Sequence, residues 1–129
     1  MKHSVLLVDD DLAILHALVR NWRKEPFEVR TATTAEEALG ILAKGHVDAV
    51  VCDWQMPGMC GTEFLAKIAA QHPNVIRIML TGKANFEVAQ GAINNGAVHK
   101  FLTKPYDAGA LADVIRKALV QEQRDGAAR

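Results

Sequence analysis

Four short apolar runs, each ending on a polar or charged residue, constrain this chain more than any other feature. Val5-Leu6-Leu7-Val8 is followed by Asp9 and Asp10, Ala49-Val50-Val51-Cys52 by Asp53, Ile76 to Leu80 by Thr81, and Phe101-Leu102-Thr103 by Lys104. Short apolar runs alternating with helical patterns read as strands of a parallel sheet, because covering both faces removes the need for a polar side. Such sheets collect their ligands at the carboxyl ends of the strands, where all of these polar residues fall. Three carboxylates converging there repel one another unless a divalent cation, a lysine or both offset the charge.

The segments between the runs supply the helices. Asp11 to Trp22 carries Leu12, Leu15, Leu18, Val19 and Trp22 at helical spacing, and Pro26 closes it. Phe27 to Thr31 alternates Phe27, Val29 and Thr31 against Glu28 and Arg30, as an edge strand does. Thr34 with Glu37 three residues on is a capping box for a helix through Ala38, Leu39, Ile41 and Leu42 that ends at Gly45. After Asp53, the turn from Met56 to Gly61 delivers a helix with Phe64, Leu65 and Ile68 inward, ending near His72-Pro73. Asn85 to Asn95 has helical spacing with Gly91 inside it, and Asp107 caps a last helix through Leu111, Val114, Ile115, Ala118 and Leu119. From Gln121 to Arg129 the chain turns polar and is expected to fray. Five strands alternating with five helices imply an α/β fold with an open, doubly wound parallel sheet and right-handed crossovers.

At 129 residues, the chain fits one domain, with a core at about residues 4–119 and a polar tail at 120–129. Fifteen basic residues balance fifteen acidic ones, which leaves no excess charge to hold nucleic acid. The amino terminus lacks the zones of a secretory signal, and no apolar run reaches the length of a membrane span. Cys52 and Cys60 lack metal-ligand spacing and read as reduced thiols in a cytoplasmic protein. His16, His46, His72 and His99 are scattered without ligand spacing and are given no role, and Trp54 reads as a surface-leaning aromatic beside the site.

Four motifs occur in order: Leu7-Val8-Asp9-Asp10-Asp11, Asp53-Trp54-Gln55-Met56-Pro57-Gly58, Met79-Leu80-Thr81-Gly82 and Phe101-Leu102-Thr103-Lys104-Pro105. Each is weak alone; together, at these separations, they make the chain resemble the receiver domains of bacterial two-component response regulators, the CheY-like superfamily, from Ser4 to about Leu119. The resemblance implies a flavodoxin-like sheet of strand order 2-1-3-4-5, which sets the first and third strands side by side. It also implies a cis peptide bond between Lys104 and Pro105.

By this resemblance Asp53 is the phosphoacceptor, taking a phosphoryl group from a phosphohistidine on a histidine kinase or phosphotransfer protein. Asp10, Asp53 and the backbone carbonyl of Gln55 would hold Mg²⁺, with Asp9 acting through a metal-bound water; few protein ligands completed by water suit that ion. Lys104 would pair with Asp53 at rest and with a phosphoryl oxygen afterwards, while the Thr81 hydroxyl donates to another. The switch would be Thr81 moving toward the phosphate and Phe101 turning into the gap, which alters the face of the fourth helix, fifth strand and fifth helix. That face would serve a downstream output domain or protein, or a homodimer. Gln55 and Lys83 occupy positions that tune phosphate lifetime in the family.

Two other readings compete. A phosphatase with Asp53 as nucleophile would resemble haloacid-dehalogenase-like enzymes, but their Asp-x-Asp pattern is broken by Gln55, so the general acid is missing. A binding module without phosphorylation would have lost Asp53, Lys104 or an acidic partner, and all are present. The expectation is therefore a signalling switch that catalyses only its own phosphoryl transfer and dephosphorylation.

Overall fold

The computed structural model describes residues 2–56, 59–82 and 98–127, together with Glu87, Gln90 and Gly91. Five parallel strands form the main sheet: β1 (His3–Val8), β2 (Phe27–Ala32), β3 (Ala49–Asp53), β4 (Ile76–Thr81) and β5 (Lys100–Thr103). Their order is β2-β1-β3-β4-β5, the flavodoxin-like arrangement. Helices α1 (Leu12–Asn21), α2 (Ala35–Lys44) and α3 (Gly61–Gln71) and a C-terminal helix (Ala108–Ala127) cover it. Most of the expected helix at 85–95 lies outside the described residues, although Glu87, Gln90 and Gly91 are helical.

The unbroken apolar runs have a direct cause in the two layers. Val5 and Leu7 of β1 pack with Leu15 and Leu18 of α1, with Trp22 at its C-cap and with Leu111 and Ile115 of the C-terminal helix. Leu6 and Val8, one residue out of phase, pack instead with Ala38 and Leu42 of α2 and with Phe64, Leu65 and Ile68 of α3. Period two within a strand sends alternate side chains to opposite faces, so a strand covered on both sides must be apolar at every position. Each fully buried Leu, Ile or Phe stabilises the fold by roughly 1.5–3 kcal/mol relative to exposure.

Local signals set the helix ends. Asp11 caps α1, its Oδ1 accepting from the Ala13 and Ile14 amides at 2.9 and 3.4 Å. Asp107 does the same for the C-terminal helix through Gly109 and Ala110, at 2.7 and 3.0 Å. Thr34 Oγ1 accepts from the Glu37 amide at 3.0 Å, but the Glu37 carboxylate reaches back to the Thr33 amide at 2.7 Å, one residue earlier than the expected box.

Three expectations need correction. Leu12 and Val19 are exposed rather than inward, because α1 is covered along one stripe, filled by Leu15, Leu18 and Trp22, and the other two sit on its flanks. The last helix does not end near Leu119 but runs to Ala127, since Gln121, Glu122, Gln123 and Arg124 are good helix formers that extend it past Leu119, the last buried residue among those described. The turn after Asp53 contains two short paired strands, Gln55–Met56 and Met59–Cys60.

Candidate functional site at the carboxyl edge of the sheet

Sheet register brings the first two carboxylates together. Val8 pairs with Cys52, so the next residues, Asp9 and Asp53, stand at one level on adjacent strands. Asp9 continues the phase of Val5 and Leu7, and Asp53 that of Ala49 and Val51, so both leave the sheet toward α1 and the C-terminal helix. The Asp9 amide prolongs the ladder by donating to the Ala32 carbonyl at 3.1 Å. Asp9 is only 5% exposed, and its Oδ1 accepts from the Asp11 amide at 2.9 Å. Asp10 is exposed at the rim, and Asp11 is occupied as the α1 cap.

The cation arrives from the other side. Lys104 follows β5, its amide donating to the Thr81 carbonyl at 2.7 Å, and its Nζ meets Asp53 Oδ2 at 2.7 Å. The Lys104–Pro105 peptide bond is cis. Leu102 and Lys104 share one phase of β5, the phase facing Asp53, while Phe101 has the other. Phe101 pairs with Met79, and Thr103 with Thr81, so Phe101 and Thr81 lie on the same face, the one covered by α2 and α3. Thr81 is completely buried, its hydroxyl donating to the Gly82 carbonyl at 3.2 Å, and Phe101 is half-buried.

Charge couples these residues. Burial foremost pushes the Asp9 carboxyl above its ordinary range; the Asp11 amide opposes this, the Asp53 charge adds to it, Lys104 opposes and Asp10 adds. Tyr106 is raised first by burial and then by the charges of Asp9 and Asp53, which places its phenol in the same field. The Cys52 thiol is raised by burial and then by Asp53, so it is inert at neutral pH. Cys52 and Cys60 are both free thiols, and Cys60 Sγ contacts Thr62 Oγ1 at 3.1 Å.

Among the described residues no three His, Cys, Asp or Glu side chains form a ready metal cluster. A desolvated carboxylate, a second with one oxygen on lysine and a third at the rim still make an all-oxygen set. That set fits a hard cation that keeps most of its water, such as Mg²⁺. Lys83 lies outside the described residues, and of Gln55 only the backbone is described.

One neighbour of the site, Gly61, carried no sequence signal strong enough to single it out, and another, Trp54, is less exposed than it read. Gly61 begins α3 against the backbone of Asp53 and Trp54, though it read only as the end of a turn. Trp54 is half-buried rather than surface-leaning, with its indole Nε1 buried and without a hydrogen-bond partner among the described residues. A glycine at the first position of a helix, where a capping side chain is usual just before, was the available hint for the former.

The model of the response regulator receiver domain family matches residues 5–116. The chain belongs to that family. This receiver is 32% identical over 123 residues to the hydrogenase transcriptional regulatory protein HoxA of Cupriavidus necator, covering 95% of this chain and 25% of HoxA. It superposes on the structure titled adenylate cyclase from Rhodopirellula baltica with a TM-score of 0.92 at 34% identity, covering 98% of this chain and 94% of that one. A CheY-like receiver domain protein from Methanospirillum hungatei gives 0.88 at 30% identity, with 97% and 99% covered. The receiver thus spans about a quarter of the curated regulator it matches. No helix among the described residues is long and apolar enough to cross a membrane.

Proposed function

We propose that this receiver accepts a phosphoryl group on Asp53 from the phosphohistidine of a histidine kinase or phosphotransfer protein. The observation that carries the reading is the ion pair between Lys104 Nζ and Asp53 Oδ2 at 2.7 Å, beside the buried Asp9. The lysine occupies one carboxylate oxygen and leaves the other to act as nucleophile. That oxygen attacks phosphorus as the phosphorus–nitrogen bond breaks, and the imidazole departs with the electron pair and takes a proton from solvent. Hydrolysis reverses the mark: water attacks phosphorus, and Asp53 leaves as a carboxylate with inorganic phosphate.

Mg²⁺, held by Asp10, Asp53 and the Gln55 carbonyl, with Asp9 acting through a water, would supply the positive charge that lets a carboxylate and a phosphoryl group approach. Lys104 then moves its hydrogen bond from Asp53 to a phosphoryl oxygen. Thr81 turns its hydroxyl from the Gly82 carbonyl to another oxygen, and Phe101, on the same face, fills the space vacated. Gln55 and Lys83 set how long the phosphate lasts.

The altered surface is that of segment 85–95, β5 and the C-terminal helix, which we assign to an output domain or protein and to homodimer contacts. HoxA is a transcriptional regulatory protein by name, and an output domain joined to this receiver would be the part that acts on nucleic acid or substrate. Residues 1–129 act as one cytoplasmic receiver unit. Incubation with acetyl phosphate and Mg²⁺ should add one phosphoryl group to the wild type and none to Asp53→Asn. An unlabelled wild type, or label retained by that variant, rejects the assignment.

A further inference from the structure

A Cβ built on Gly61 would lie 2.4 Å from the Asp53 backbone oxygen, 3.0 Å from that of Trp54 and 3.1 Å from the Trp54 Cα. All three are main-chain atoms, which cannot swing aside as the tip of a side chain can. At Gly40 and Gly82 the same atom would meet nothing within 4 Å. The demand at Gly61 is for space rather than for an unusual backbone angle, since its φ lies outside the left-handed region.

The peptide that follows Asp53 is gripped from two sides. The Trp54 amide donates to the Leu80 carbonyl on β4 at 2.8 Å, and the Trp54 carbonyl accepts from the Gly61 amide, at the first residue of α3, at 2.6 Å. Behind that contact, Phe64, Leu65 and Ile68 are completely buried and lock α3 to the sheet, so the helix cannot retreat to admit a side chain. We propose that Gly61 is a positioning residue for Asp53: by letting the start of α3 sit directly on the backbone of residues 53 and 54, it fixes where the Asp53 carboxylate meets Lys104 and the phosphoryl donor. This rests on Asp53 being the phosphoacceptor.

A methyl group at position 61 needs about 1 Å of extra room to reach ordinary contact with the Asp53 oxygen. A displacement of that size can cost roughly 100-fold in a reaction that depends on alignment. Gly61→Ala should therefore lower the maximal rate of Asp53 labelling by acetyl phosphate by about 10- to 100-fold, with the half-saturating donor concentration changed much less. Gly40→Ala, which meets no neighbour, should label at the wild-type rate. The rates are compared well below each variant's melting temperature, with the Lys104 ammonium resonance recorded as a report on the ion pair. A Gly61→Ala protein that labels as fast as wild type, with an unmoved resonance, overturns the proposal.

If Gly61→Ala does not fold, hydrogen exchange in the wild type decides. Protection of the Gly61 amide matching that of Trp54 supports the docked contact, and exchange as fast as an open helix start rejects it. A wild type that takes no label counts against the phosphoacceptor reading alone, because exchange still tests the contact.

Discussion

Lys104→Met tests the electrostatic core of the site while keeping most of the lysine's apolar stem. Two unit charges 2.7 Å apart attract by about 6 kcal/mol at an effective dielectric of about 20. The net value is smaller, because the Lys104 side chain is 38% exposed and that of Asp53 16%, so water screens the pair and competes for both partners. Exposed pairs contribute about 0.2–1 kcal/mol, and breaking a buried pair costs about 3–5 kcal/mol. This pair lies between those limits, and its loss leaves Asp53 facing Asp9 without a countercharge. We expect a loss of about 2 kcal/mol, or roughly 6–10 °C in melting temperature for a domain of this size. The assay is thermal unfolding of both proteins at pH 7, in low salt and without divalent cations, followed by addition of Mg²⁺. The difference should shrink in high salt, and Mg²⁺ should return part of it. Melting temperatures that agree within about 1 °C in low salt would refute the reasoning.

Asp9→Asn should raise stability at pH 7. Burial holds the Asp9 carboxyl above its ordinary value of 3.8, so the folded chain binds that proton more tightly than the unfolded one. Stability is therefore lost as pH rises from about 3.8 through the raised folded value and stays lower beyond it. Urea midpoints should favour the variant at neutral pH and converge below pH 4. Trp22→Phe removes an indole donor to the Ala108 carbonyl at 2.9 Å and shrinks the ring that makes a T-shaped contact with Phe27. It should cost about 2–3 kcal/mol with an unchanged m-value in urea. The Arg77 amide donates to His99 Nδ1 at 2.9 Å, a ring acceptor that no alanine side chain offers. The Arg77 amide should lose exchange protection in His99→Ala and keep more of it in His99→Gln, whose side-chain oxygen can accept.

The sheet was legible because burial on two faces leaves a trace in a single sequence: runs such as Val5 to Val8 and Ala49 to Cys52 have no polar phase. The site was legible because its charged members stand where those runs stop, and register then brings Asp9 level with Asp53. Flank positions were harder to read. Leu12 and Val19 have the spacing of core residues, and only the position of α1 on the sheet leaves them exposed. His99 shows why an isolated histidine escapes notice, since its role is to offer a ring nitrogen to a backbone amide on a strand more than twenty residues earlier. Gly61 is similar: its contact is with backbone atoms, and backbone atoms have no identity in a sequence.

The uninterrupted run of the C-terminal helix to Ala127 has a mechanical consequence. Beyond Leu119, the last buried anchor among the described side chains, it advances about 12 Å at 1.5 Å per residue, turning about 100° with each. A module joined to it in unbroken helical register would be aimed by that rotation, as a key is aimed by its shaft. One residue inserted or deleted in the stretch would turn such a module by nearly a third of a revolution, whereas a seven-residue insertion would nearly restore its heading.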